Sequence, residues 1–311
     1  MIDFIKTNIT DALRFENNIR NNQIVDLKTF IDTSTGEMQD YPKYGKYFNL
    51  DVKINPFYSK LSGSLHKLEN MIFLDENQNY NDFTYHQLSS LIPALEETFD
   101  LNDNNSLSYL ELGLNIDIGF DPKILIDNNL LMYDLKNHNK DLKFKGNGDF
   151  KEFSKTDSSL KIYNKSKQYR KEFHLNKNLL RIELKLKSKR KIQSLGIYSI
   201  NDLLDKNKLH KVFEFLHKEF LKLTLIDNLE NISVSPADLE KLNKYTNPNF
   251  WQRIRENKSY KIQTRLKKDF DLLLRKYNLT TLKADVEFKL IHKFWELINQ
   301  DELDLFEPIS A

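Results

Sequence analysis

The run from Tyr109 to Ile118 constrains the fold of this chain more than any other stretch. Leu110, Leu112, Leu114, Ile116 and Ile118 alternate without a break with Tyr109, Glu111, Gly113, Asn115 and Asp117. Successive side chains of a β-strand point to opposite faces, so the pattern predicts a strand with one apolar face on a core and one polar face. Two further runs repeat it. In Ser159 to Lys165, Leu160 and Ile162 share one face and Lys161, Tyr163 and Lys165 the other; in Leu179 to Lys187, Leu180, Ile182, Leu184 and Leu186 alternate with Arg181, Glu183, Lys185 and Lys187. The three strands are expected to pair in one antiparallel sheet whose apolar faces rest on helices. Their polar faces then bring Glu111, Asp117, Tyr163 and Glu183 together. The connection Ser166 to Asn178 is long for a hairpin turn and carries Lys167, Arg170 and Lys171.

Shorter signals place the other elements. Ile24 to Ile31, Tyr47 to Ile54 and Phe57 to His66 read as strands, with Ser34 to Gly36 and Asn55-Pro56 as turns. His66 admits three readings: a metal ligand, a DNA contact or a partly exposed strand histidine. Thr84-Tyr85-His86-Gln87 has capping-box form, and Leu88, Leu91, Leu95 and Phe99 continue it as an amphipathic helix that Pro93 should kink or divide. His86 is expected at the surface. Asp121-Pro122 opens a helix expected to run through about Met132. Gly146-Asn147-Gly148 reads as a turn and not a phosphate loop, since no Gly-Lys-Ser/Thr follows. Beyond Arg190 the chain turns helical. Ser199 to Asp202 starts a long amphipathic helix through Leu223, Ser235-Pro236 caps another, and Asn247-Pro248 begins a tail of short helices rich in Arg and Lys. Phe250 and Trp251 are expected as core anchors. The basic residues of the tail suit a DNA-binding appendage or an ordinary solvated face.

The expected architecture is α+β: a largely antiparallel sheet with helices packed on one face in residues 1–228, then a helical C-terminal domain in residues 229–311. A chain of 311 residues is long enough for such a division. It has no cysteine, which excludes disulfides, thiolate nucleophiles and Cys-based metal sites. Lys+Arg 47 against Asp+Glu 45 nearly balance, so the informative feature is the clustering of basic residues after about Lys136. No apolar run approaches the ~20 residues of a membrane span and the first residues lack a signal peptide's apolar core, so a cytoplasmic protein without membrane contact is expected.

Carboxylates beside a phenol suit phosphoryl transfer. Glu111, Asp117 and Glu183 offer hard oxygen ligands for a divalent cation, and Tyr163 offers a nucleophile that can form a phosphotyrosyl ester. Lys161, Lys165 and Arg181 are expected to lower the tyrosine pKa from its usual ~10 and to neutralise phosphate oxygens. An ordinary solvated sheet face has the same residue pattern.

The acidic strand Leu110 to Ile118, the segment Leu-Lys-Ile-Tyr-Asn-Lys and the strand Leu-Arg-Ile-Glu-Leu-Lys-Leu-Lys resemble the rolling-circle replication initiators of plasmids and filamentous phages, of the replication-initiation-factor type. The resemblance covers roughly residues 105 to 190. It implies a metal-dependent DNA endonuclease and strand transferase that nicks and rejoins origin DNA. The implied nucleophile is Tyr163, supported by Lys165, and Glu111 or Asp117 with Glu183 would hold Mg²⁺ or Mn²⁺. Lys161, Lys167, Arg170, Arg181, Lys185 and Lys187 would contact single-stranded or origin DNA, and a host helicase is an implied partner. A His-hydrophobic-His metal motif is absent, and no spacing rule decides whether Tyr169 is a second catalytic tyrosine. A non-catalytic DNA-binding protein of a mobile element and a protein-interaction module are the alternatives.

Overall fold

A computed structural model describes residues 1–138, 149–229 and 232–304, with side chains described to residue 300. The expected turn at Gly146 to Gly148 lies outside the described residues, as do residues 230–231 of the expected domain junction. The strands are β1 (Ile2–Ile9), β2 (Lys43–Tyr47), β3 (Leu50–Ile54), β4 (Ser59–Ser64), β5 (Ser106–Asp117), β6 (Leu130–Tyr133), β7 (Phe150–Ser154), β8 (Ser158–Asn164), β9 (Leu179–Leu186) and β10 (Leu223–Leu225). The helices are α1 (Ala12–Asn21), α2 (Leu65–Phe73), α3 (Tyr85–Phe99), α4 (Pro122–Ile124), α5 (Lys165–Tyr169), α6 (Lys189–Gln193), α7 (Lys206–Leu221), α8 (Pro236–Tyr245), α9 (Pro248–Asn257), α10 (Tyr260–Lys276) and α11 (Thr281–Asp304).

The α+β architecture is as the sequence predicts. Eight strands form one sheet in the order β2-β3-β4-β1-β5-β9-β8-β7, with each neighbouring pair antiparallel. The three strictly alternating runs are its centre: β9 lies between β5 and β8, with Gly113 opposite Glu183 and Tyr163 opposite Arg181. Their aliphatic faces, Leu110 to Ile116, Leu180 to Leu186 and Leu160 with Ile162, enter one core with helical side chains such as Leu88 and Phe99 of α3 and Leu209 and Phe213 of α7.

Several local expectations are corrected. Residues 24–31 form only isolated bridges at Lys28 and Ile31. The run ending at His66 divides, because Ser64 caps Lys67 N and starts α2, which puts His66 on a helix. Asp121 does cap a helix, but α4 gives way to a π-turn at Leu125–Asn129 and Leu130 begins β6. The Thr84 capping box forms, and α3 continues through Pro93 undivided. The expected helix from Ser199 is a 3-10 turn at Asn201–Leu204 followed by a separate helix capped by Asp205.

The C-terminal helices divide between two cores. Phe250 and Trp251 anchor a second cluster with Leu242, Tyr245, Phe270 and Met132. The last helix returns to the sheet, where Val286, Leu290, Phe294, Leu297 and Ile298 join the main core. The tail is therefore not a set of short helices: α10 has 17 residues and α11 has 24. No helix among the described residues is long and apolar enough to cross a membrane.

Candidate functional site

The polar face of the central strands is closed at its middle. Arg181 is 1% exposed and lies across β5 to reach β1, its Nη2 2.6 Å from Asp3 Oδ2. Gly113 makes the path, since a Cβ there would stand 2.3 Å from that same Nη2. The remaining guanidinium donors go to Glu183 Oε2 at 3.0 Å and Asn115 Oδ1 at 3.0 Å. Asp3 reaches this face through an irregularity of β1. Ile2 pairs with Leu112 and Ile5 with Leu110, so three steps along β1 match two along β5. The extra residue turns both Asp3 and Phe4 to the polar side, as a β-bulge does.

Asp3, Glu111 and Glu183 form one cluster, each offering a carboxylate oxygen within 4.8 Å of the others. Tyr163 donates to Glu183 Oε2 at 3.3 Å, and the Tyr109 hydroxyl donates to Glu111 Oε1. Lys185 Nζ stands 3.5 Å from Glu183 and 3.9 Å from Glu111. Lys161 Nζ lies 4.5 Å from the centre of the Tyr163 ring and Lys165 Nζ 5.6 Å from it. Asp117 is not part of this group. It shares the face, but pairs with Leu179 at the strand end, is exposed, and accepts from Gly119 N at 3.0 Å. Asp3 supplies the third carboxylate instead.

A roof closes the site. Asn115 Nδ2 donates to the carbonyls of Asn79 and Tyr80 at 3.2 and 3.1 Å. Asn79 Oδ1 accepts from Lys165 Nζ at 2.6 Å and from the Tyr169 hydroxyl at 2.7 Å, while its Nδ2 donates to Asp3. Tyr80 packs against the rings of Tyr169 and Phe173. His66 lies beside this roof, buried, with Nε2 2.6 Å from Asn81 Oδ1 and its ring stacked on Phe83. That position replaces the expected partly exposed strand histidine.

Burial sets the charges here. Burial alone would raise the pKa of Asp3 and of Glu183, but the adjacent Arg181 guanidinium, helped by Lys165 at Asp3 and Lys185 at Glu183, outweighs it and holds both below the ordinary carboxylate range. Glu111 lacks the guanidinium, and burial with the charges of Glu183 and Asp3 pushes it up to about 8. Burial, then Glu183, raises Tyr163 well above 10, so the expected lowering by Lys161, Lys165 and Arg181 is corrected. Burial also brings Lys165 well below its ordinary value, with Arg181 the next cause.

The expected DNA contacts separate in the same way. Arg181, Lys161 and Lys165 are inside, Lys185 and Lys187 are half-buried, and Lys167 and Arg170 are exposed. Lys187 donates to Ser154 Oγ at 2.6 Å, and Lys167 stands 3.3 Å from Asp149. Asp3 and the roof residue Asn79 were not singled out by sequence reasoning. The only signal for Asp3 is an acid inside the otherwise apolar start Ile2 to Ile5.

No family model matches the chain, and no curated protein matches it. Among solved structures, the rolling-circle replication initiator protein from Geobacillus stearothermophilus is similar with a TM-score of 0.40 and 10% sequence identity, over 74% of this chain and 88% of that one.

Proposed function

We propose that this chain initiates rolling-circle replication by nicking and rejoining DNA through a tyrosine. The observation that carries the reading is the contact of Tyr163 with Glu183 inside a cluster of three carboxylates, on the strands whose motifs resemble those initiators. Tyr163 Oη attacks phosphorus and forms a phosphotyrosyl ester. Its proton is lost to solvent, and Glu183, which accepts its hydrogen bond, orients the hydroxyl. The phosphorus–oxygen bond to the neighbouring nucleotide breaks, and the released hydroxyl keeps the proton it gains from solvent. The reverse sequence rejoins the strand. The carboxylate donor set suits Mg²⁺ or Mn²⁺, with Asp3, Glu111 and Glu183 as the residues that would hold it. A bound cation supplies charge stabilisation at the phosphate. Tyr163 is 5% exposed, so DNA reaches it only when the groups that cover it move aside.

One observation favours a second reading, a non-catalytic DNA-binding protein of a mobile element. Arg181 already occupies the space between Asp3 and Glu183 and neutralises them, so the cluster is complete as a structural ion network. Incubation with single-stranded origin DNA and Mn²⁺ separates the readings. The nicking enzyme yields a covalent adduct that Tyr163→Phe abolishes while binding stays intact, and Glu183→Gln reduces the metal-dependent yield. An adduct at full yield from Tyr163→Phe moves the nucleophile elsewhere. Binding without adduct, across metals and authentic origins, selects the second reading.

A further inference from the structure

The polar face of the sheet does not end at the closed cluster; it continues, open, over the N-terminal strands. An open groove of about 910 Å³ is lined there by Lys6, Lys28, Lys46, Lys53 and Lys60, with Asp26 and Asp51 as its only acids. The strand register lays these lysines in rows. Lys6 pairs with Ser62, Ser62 with Asp51 and Asp51 with Lys46. In the next row Lys60 pairs with Lys53, Lys53 with Tyr44 and Tyr44 with Lys28. Among the described residues, Lys46 is the one lysine of the five in an ion pair, 3.6 Å from Asp51. Like charges directly opposite on neighbouring strands repel each other. The Lys53 and Lys60 pair is therefore a local conflict that an anionic ligand relieves.

Aromatic rings stand between the cations. Tyr44 lies beneath Lys53 Nζ at 5.3 Å and meets Phe30 edge to face at 5.6 Å, and Tyr58 lies 5.3 Å from Lys60 Nζ. All three rings are exposed. Cations that follow a backbone, alternating with exposed rings on which bases stack, are what an unpaired strand requires; a duplex hides its base faces. The rows lead toward the carboxylate cluster. From β2 to β5 is four strand spacings of about 4.8 Å, a span of roughly 19 Å. At its inner end Lys6 Nζ lies 5.0 Å from the ring of Tyr109, whose hydroxyl donates to Glu111.

We propose that the open sheet face of β1 to β4 is a track for single-stranded DNA, separate from the basic residues of β8 and β9. The choice of DNA over other single-stranded polyanions rests on the proposed function, whereas the track itself needs neither tyrosine nor metal.

The test is fluorescence anisotropy of the full chain with a fluorescein-labelled 20-nucleotide oligo-dT, without divalent cation, across a salt series. The triple variant Lys28→Ala, Lys53→Ala, Lys60→Ala should bind at least about tenfold more weakly at low salt. Its slope of log affinity against log salt should fall by about 2, at ~0.7 per phosphate contact for a single strand. Tyr44→Ala with Tyr58→Ala should weaken binding at unchanged slope. Circular dichroism checks that each variant is folded. Wild-type affinity and slope in the triple variant overturn the track. So does an equal loss from Lys258→Ala, Lys261→Ala, Lys268→Ala, which would move binding to the C-terminal helices, or equal affinity for a duplex of the same length. Binding to oligo-dT together with no covalent adduct on authentic origin DNA across metals overturns the proposed function and leaves the track standing.

Discussion

Replacing Arg181 with methionine tests whether the carboxylate cluster is held by a guanidinium or built for a cation. The substitution leaves Asp3 and Glu183 buried without their main counter-charge, and breaking a buried ion pair from one side costs about 3–5 kcal/mol. At ~2.1 cal/mol/K per residue, a chain of 311 residues unfolds with about 0.65 kcal/mol/K of entropy, so Tm should fall by about 5–8 °C. The sign with pH follows from the two carboxylates. Arg181 holds both below their ordinary range in the wild type, so they contribute stability above their unfolded pKa that is lost as pH falls through the folded one. Methionine removes that contribution, and the deficit should persist from pH 7.5 down to about the ordinary carboxylate range and shrink as pH falls below it. A cation then takes the vacated role: Mn²⁺ at about 100 times its Kd restores roughly 2.7 kcal/mol. The assay is calorimetric melting of wild type, Arg181→Met and the double variant with Glu183→Gln, with and without Mn²⁺. A Tm within about 1 °C of wild type at pH 7.5 would refute the structural role of the network. An identical Mn²⁺ response in all three proteins would refute the cation site.

Two further outcomes follow from burial. Glu111, held at about 8 against an ordinary 4.5, contributes stability present below the unfolded pKa and lost as pH rises through the folded one; Glu111→Gln should flatten the decline in Tm between pH 5 and 8, and an unchanged profile counts against the shift. Truncation after residue 228 removes the helix that places Val286, Leu290, Phe294, Leu297 and Ile298 in the main core. At about 1.5–3 kcal/mol per buried apolar side chain, residues 1–228 alone should be poorly soluble or melt far below the full chain, and a stable, monomeric 1–228 fragment would support the two-domain division.

What the sequence made legible was set by how regular each strand is. β5, β8 and β9 keep strict alternation, so their faces and their adjacency could be read directly. β1 could not, because its bulge puts Ile2 and Ile5 on the same side and breaks the two-residue period that identifies a strand; Asp3 was lost with it. Asp117 was included by the converse error, since alternation gives the face a residue occupies and not how far along the strand its partners stand. Chemical context was the other blind spot. The polar residues of β9 looked solvent-facing, whereas residues 79–81, a stretch with no periodicity, cover them through backbone carbonyls that accept from Asn115. Burial by an irregular loop leaves no pattern in the strands it covers; the Tyr163 pKa, raised by burial and Glu183, likewise moves opposite to the expected direction.

The polar face thus has a closed part and an open part, and β1 carries both, with Asp3 in the closed cluster and Lys6 in the open groove. The closed part gathers the three carboxylates, Arg181 and Tyr163; the open part carries the exposed lysines and rings. The open face ends at Tyr109 and Glu111, while Tyr163 is buried. The roof is tied down by Asn79 and Asn115, by the Tyr80 ring against Tyr169 and Phe173, and by Asn81, which bonds Asn70 in both directions and His66, whereas the strands beneath share hydrogen-bonded ladders and a common core. Local opening of such a segment needs far less free energy than disturbing the sheet. Lys165 Nζ is held by Asn79 Oδ1 at 2.6 Å and Gln168 Oε1 at 3.4 Å, not by a carboxylate. Losing Lys165 removes one of the two donors on Asn79 Oδ1 and leaves the Tyr169 hydroxyl as the other.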